Sequence, residues 1–165
     1  MAYEIDFNQK GNYKLHTRKF FLKPSLWIDS SNQYTFNLKW KRIKFNRKNF
    51  SILPNKKGIY CFVVVPKFQH FFETRYLFYV GKTTRTLKKR YNEYLQDQAG
   101  KGKPRPKVFE MLNLYKENLY FYYSVVNINT DIDVIEKKLL NIFVPHINTD
   151  IPNAKIKPEF KNLYE

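Results

Sequence analysis

The sequence predicts a small α+β layer preceded by an N-terminal extension that itself contains β-structure. Three observations predict it. Gly58 to Val65 is β-branched and aromatic throughout, at a length that suits a strand buried on both faces. A second such run, Tyr76 to Val80, stops at Gly81. The segments that follow alternate in period, so the order from Gly58 reads strand, strand, helix, helix, strand, helix.

Residues 1–57 are basic and rich in aromatics. Within them Tyr34, Phe36, Leu38 and Trp40 alternate with Thr35, Asn37, Lys39 and Lys41, the period of a strand with one buried and one wet, basic face. A turn-like Pro54-Asn55-Lys56-Lys57-Gly58 closes the extension. The first two strands of the domain at 58–150 pair as a hairpin across a long connection, Lys67 to Arg75. Thr84 or Thr83 caps a helix through Leu87, Tyr91, Tyr94 and Leu95. Gly100 to Pro106 is a basic loop, followed by a helix near Lys107–Glu117 and a strand over Leu119–Val126. A final helix opens at Thr130, with Asp133 three positions on, and runs to about Phe143 because Pro145 stops it. Residues 151–165 form a C-terminal tail.

Bulk properties narrow the function classes. Hydrophobic residues make up 43% and aromatics 18% of 165 residues, which excludes a disordered basic tail. Thirty Lys and Arg against 14 Asp and Glu give a formal charge of +16 and a pI near 9.8. Such a surplus attracts polyanions, because each neutralised phosphate releases condensed counterions. An AT-rich codon bias would enrich Glu as well as Lys, so it does not explain the imbalance. An anionic membrane surface is the competing partner, but no basic amphipathic helix stands out to serve it. The single Cys61 excludes an internal disulfide and a cysteine-rich zinc site. No signal-like opening and no apolar stretch of membrane-spanning length is present, which leads to the expectation of a soluble, cytoplasmic protein of bacterial or phage-like composition.

Three groups of residues carry chemistry. Glu136 shares a helix face with Ile132, Leu139, Leu140 and Phe143. A carboxylate in an apolar stripe must meet something positive, either a Lys or Arg partner or a metal ion. Arg90 and Tyr94 are four apart and share a face, where an arginine is suited to a phosphate or serves as a surface cation beside a core tyrosine. Tyr60 and Tyr79, on the paired strands, are packing residues or phenols able to orient or deprotonate a water.

In order and spacing, Gly58-Ile59-Tyr60, Tyr79-Val80-Gly81, Arg90, Glu136 and Pro145-His146-Ile147-Asn148 resemble the GIY-YIG nuclease superfamily over residues 57–150. The segment Gly81-Lys82-Thr83-Thr84-Arg85-Thr86-Leu87-Lys88-Lys89-Arg90-Tyr91 is similar to the family's first helix. The resemblance implies an antiparallel sheet of about three strands flanked by helices, with one divalent ion, Mg²⁺ or Mn²⁺. It implies Tyr60 as general base or water-orienting group, Tyr79 as support for nucleophile or phosphate, and Arg90 as the transition-state arginine. Glu136 would be the metal ligand, Asn148 a structural residue near the site, and Tyr94 stands where members carry His or Tyr. Gly58, Gly81 and Lys82 would support them. Three features depart from the pattern: the long Lys67–Arg75 connection, the 57 residues ahead of Gly58, which the resemblance does not cover, and an Arg90 one residue farther past Gly81 than in many relatives. Lys89 is the alternative, but Arg90 shares a face with Tyr94 and Lys89 does not.

The expectation is therefore a metal-dependent endonuclease that hydrolyses phosphodiester bonds in DNA, double-stranded DNA above all, of restriction or mobile-element/phage type. Lys39, Lys41 and Arg42 of the extension, Lys88 and Lys89 of the helix, and Lys101, Lys103 and Arg105 of the loop would contact nucleic acid. Cutting both strands with one site per chain favours a homodimer. The alternatives are a catalytically silent nucleic-acid-binding module on the same fold, a DNA-repair nuclease and an RNA-directed nuclease.

Overall fold

A computed structural model describes residues 16–22, 24–33, 38–67, 72–101, 103–127 and 131–148. The elements are α1 (Pro24–Gln33), β1 (Lys41–Lys44), a 3-10 helix (Arg47–Ile52), β2 (Gly58–Val64), β3 (Tyr76–Thr83), α2 (Leu87–Gln98), α3 (Pro106–Leu114), β4 (Leu119–Val125) and α4 (Ile132–Phe143). The architecture is α+β, as expected, with an antiparallel sheet between helices.

The sheet has four strands in the order β1-β4-β2-β3, one more than the three expected. The extra strand comes from the extension and begins at Lys41, the last residue of the span whose alternation pointed to it. Leu38 to Trp40 are not in a strand, Tyr34 to Asn37 lie outside the described residues, and pairing starts at Lys41. Lys-Arg-Ile-Lys is a weak strand by composition. It forms at an edge, where only Ile43 turns to the core and Arg42 and Lys44 remain on the opposite face. The helix α1 was not expected; its Pro24 occupies the first position, where a missing N–H costs nothing.

Alternation of side chains across β2 divides the molecule into two layers. Tyr60, Phe62 and Val64 point to a core shared with Leu87, Tyr91, Tyr94 and Leu95 of α2 and Val108, Met111 and Leu112 of α3. Ile59, Cys61 and Val63 point the other way, onto Ile132, Ile135, Leu139 and Leu140 of α4. Every residue of β2 is therefore buried. The β2–β3 register slips at one place: Phe62 faces Tyr79 but Val63 faces Leu77, leaving Phe78 as an extra residue. This bulge turns both Phe78 and Tyr79 into the α2–α3 layer.

Local chemistry sets the element ends. The strand β3 continues through Gly81 to a buried Thr83, so the α2 cap falls later than Thr83 or Thr84. Thr86 is the cap, accepting from Lys89 N–H at 3.0 Å. Asp131 caps α4, accepting from Asp133 and Val134 N–H, whereas the expected cap Thr130 lies outside the described residues. The helix α4 ends before Pro145, as expected, and Val144 is its left-handed C-cap at φ 42°, donating its N–H to Leu140 C=O. The helix α3 ends at Leu114, a turn earlier than read from the sequence. Tyr91 ties α2 to the turn after β1: its hydroxyl accepts from Asn46 N–H at 2.9 Å and donates to Asn46 C=O at 2.8 Å. Among the described residues no helix is long and apolar enough to cross a membrane.

Candidate active site

The α2–α3 layer gathers four of the five expected catalytic residues. Tyr60 and Tyr94 hydroxyls lie 3.0 Å apart. Arg90 donates to both, from Nε to Tyr60 at 3.0 Å and from a terminal nitrogen to Tyr94 at 3.2 Å, with its guanidinium 4.7 Å from the Tyr94 ring centroid. The four-residue helical spacing produces this contact. Tyr79 stacks on Tyr60 with centroids 6.2 Å apart and meets Tyr94 edge-on at 6.3 Å. Gly81 makes the stacking possible: opposite Tyr60 in the register, a Cβ there would stand 2.6 Å from the Tyr60 Cζ and hydroxyl and 2.8 Å from the Tyr79 ring. Lys89, the alternative to Arg90, is exposed.

The three phenols differ in acidity. Burial and the neighbouring Tyr79 push Tyr60 up, against the pull of Arg90. Burial does the same to Tyr94. For Tyr79, burial also pushes upward, but hydrogen bonds from Arg105 and Tyr94 and the charges of Arg105 and Arg90 leave it below the usual tyrosine value. Arg90 is held above its usual value: burial works against its charge, and the Tyr60 and Tyr94 oxygens favour it. Glu93 receives Arg90 at 2.8 Å and pairs with Arg85 through both carboxylate oxygens.

Glu136 stands in the other layer. It projects from α4, 17% exposed, and pairs at 2.8 Å with Nζ of Lys82. Lys82 faces Ile59 in the register and so leaves β3 on the α4 side, opposite to Tyr60 and Gly81. The same ammonium meets Asp133 at 2.7 Å, and the two carboxylates hold it above the usual lysine value against its burial. No hydrogen bond or ion pair among the described residues joins Glu136 to Tyr60, Tyr79, Arg90 or Tyr94. Phe143, counted in the apolar stripe, is exposed at the end of α4.

The supporting residues have distinct places. Gly58 lies where a side chain would run into the Ser124 carbonyl and Leu87. Asn148 binds the Val80 backbone twice, accepting from its N–H at 3.0 Å and donating to its C=O at 2.8 Å. Lys39, Lys41, Lys89, Lys101 and Lys103 are exposed, Lys88 lies over the Phe50 ring at 5.1 Å, and Arg42 pairs with Glu73 at 3.1 Å. Arg105, also exposed, is the one of these residues that reaches an expected catalytic side chain, donating to the Tyr79 hydroxyl at 3.1 Å. Sequence reasoning missed that contact, and it missed Asp133 beside Glu136. Spacing of three on one helix was available for Asp133; nothing local pointed Arg105 at Tyr79.

The carboxylates that a hard cation would use, Glu136 and Asp133, are both paired with Lys82. Magnesium commonly takes one or two carboxylates and completes its shell with water, and Glu136 and Asp133 offer two carboxylates that converge on one positive charge. Among the described residues no group of three or more His, Cys, Asp or Glu side chains is placed to hold an ion. Comparison of the chain with protein-family models, curated proteins and solved structures finds no match.

Proposed function

We propose that this chain is a divalent-metal-dependent endonuclease that hydrolyses phosphodiester bonds in DNA, of restriction or mobile-element/phage type, in keeping with its resemblance to the GIY-YIG nucleases. The observation that carries this reading is the Arg90 guanidinium clasped by the Tyr60 and Tyr94 hydroxyls beside Tyr79, in a chain of charge +16. A permanently charged, pre-oriented arginine stabilises the charge that grows on phosphorus during in-line attack. Glu136, with Asp133 beside it, would hold Mg²⁺ or Mn²⁺, which when bound polarises the scissile phosphate. The exposed lysines of the extension, of α2 and of the loop before α3 give the duplex a positive footing. Two chains, each with one site, would cut both strands.

A specific observation favours a second reading, a catalytically silent nucleic-acid-binding module. Glu136 is engaged by Lys82 on the sheet face opposite the phenols, so the carboxylate that would hold the metal is already paired with a cation. One assay decides. Purified protein is incubated with supercoiled plasmid, duplex oligonucleotide and RNA, with Mg²⁺ or with EDTA. The nuclease reading expects nicking or cutting of DNA that EDTA abolishes, and loss of most of it in Glu136→Gln and Arg90→Ala with folding intact. Binding without metal-dependent cleavage of any substrate establishes the silent module, and cleavage of RNA alone redirects the assignment.

A further inference from the structure

The Arg105 side chain belongs to the site without belonging to either group of expected catalytic residues. It donates to the Tyr79 hydroxyl at 3.1 Å and its guanidinium lies 5.4 Å from the Tyr79 ring centroid. Its backbone is stiff for a loop residue. Pro104 precedes it and Pro106 follows it, and its φ of −64° and ψ of 130° are the extended values that a residue before proline must adopt. An arginine meant only to touch passing phosphates would gain nothing from being fixed in this way. Arg90 serves a different pair of phenols, Tyr60 and Tyr94, so the two guanidiniums divide the three hydroxyls between them.

We infer that Arg105 is a positioning residue that makes Tyr79 the proton acceptor of this site. The inference rests on the nuclease reading for its chemistry, but not for its geometry. Tyr60 and Tyr79 are both buried, but the Tyr60 hydroxyl is engaged by Arg90 and Tyr94 together, whereas the Tyr79 hydroxyl receives the Arg105 guanidinium. Tyr79 is faced by Tyr60 from β2, by Tyr94 and Arg90 from α2 and by Arg105 from the start of α3, while Asp97 of α2 faces the two arginines. Its lowered proton affinity agrees with this placement. In the step, the ionised Tyr79 oxygen takes one proton from the attacking water as the water oxygen bonds to phosphorus. The bond from phosphorus to O3′ breaks, its electron pair leaves on O3′, and solvent supplies that oxygen with a proton.

Spectrophotometric titration of tyrosinate, with wild-type chain minus Tyr79→Phe as the difference, isolates the ionisation of Tyr79 without any cleavage. It is expected below the usual tyrosine value, and Arg105→Ala should raise it by about one pH unit or more, because a charge-assisted hydrogen bond to the phenolate is lost. Arg105→Lys should recover part of the shift. In the Mg²⁺ cleavage assay the ascending limb of the pH–rate profile should move up with the titration in Arg105→Ala and disappear in Tyr79→Phe. A Tyr79 titration unmoved in a folded Arg105→Ala variant overturns the inference, as does a cleavage limb that persists in Tyr79→Phe. A shifted titration in a chain that cleaves no nucleic acid overturns the nuclease reading and the proton-transfer role with it, and leaves the Arg105–Tyr79 pairing standing.

Discussion

Lys82 holds Glu136 at 2.8 Å and Asp133 at 2.7 Å on one sheet face, one register position away from the Gly81 that lies under Tyr60 on the other. If Glu136 and Asp133 hold a divalent ion, as proposed, Lys82 competes with it for the same two carboxylates, and Lys82 variants read that competition.

Lys82→Met should tighten Mn²⁺ binding several-fold, measured by titration calorimetry of the whole chain, and Glu136→Gln should abolish it. In the absence of metal the same Lys82→Met chain should lose about 1–3 kcal/mol of stability, because Glu136 is mostly buried and would lack its partner. Added Mn²⁺ should restore that loss. An affinity for Mn²⁺ that falls in Lys82→Met would show that the pair is purely structural.

The two motif glycines should fail in different ways. At Gly58 a methyl group meets the Ser124 backbone carbonyl, which cannot retreat without opening the β2–β4 ladder. At Gly81 it meets the buried rings of Tyr60 and Tyr79. Both Gly58→Ala and Gly81→Ala should cost about 1–3 kcal/mol in denaturant unfolding, Gly58→Ala the more. Only Gly81→Ala should change the near-ultraviolet circular dichroism of the stacked tyrosines.

What is legible in the sequence is mainly local. The Arg90–Tyr94 contact follows from spacing on one helix, and the need of Glu136 for a positive partner follows from the apolar residues around it. The identity of that partner does not follow, because Lys82 reaches Glu136 only through the sheet register and the seating of α4. Arg105 and Tyr79 are 26 residues apart and meet through packing of α3, which no periodicity reports. Alternation from Tyr34 to Lys41 is a stronger pattern than Lys41–Lys44, and among the described residues pairing starts only at its last member. The edge pairing of β1 with β4 decides the matter, and Tyr91 and Asn46 hold the turn that follows it.

Alkaline pH should unfold this chain through its buried tyrosines. Burial pushes Tyr91 up to about 12. A phenol with a raised folded-state value contributes stability that is complete below the unfolded value near ~10, and that is lost as pH rises through the folded value. Tyr60 and Tyr94, both raised, act in the same direction, and Tyr79, lowered, opposes them. Thermal midpoints followed by circular dichroism should therefore decline between about pH 10 and 12, after a small gain just below about 10 from Tyr79. Tyr91→Phe should start lower at neutral pH, because Asn46 loses both backbone partners, and should decline less steeply.

Asn148 acts on the site through the backbone. The strand β3 is a sheet edge, and the Val80 N–H and C=O that face away from β2 are both taken by the Asn148 amide, while Ile147 N–H donates to Phe78 C=O at 3.0 Å. The segment after α4 thus covers the edge on either side of Tyr79. Asn148→Ala leaves both Val80 groups to water and should cost about 1–2 kcal/mol. Asn148→Asp should cost more at neutral pH, because a carboxylate accepts from the Val80 N–H but sets a lone pair against the Val80 carbonyl. Protonating that carboxyl supplies the missing donor, so the deficit of Asn148→Asp should shrink as pH falls through the carboxylate range near ~4, while that of Asn148→Ala stays constant. Hydrogen exchange at the Val80 amide, faster in both variants at neutral pH and slowed by acid only in Asn148→Asp beyond the intrinsic effect, reads the clamp directly. Equal pH dependence in the two variants would mean that the side chain fills space there and does not hold the strand.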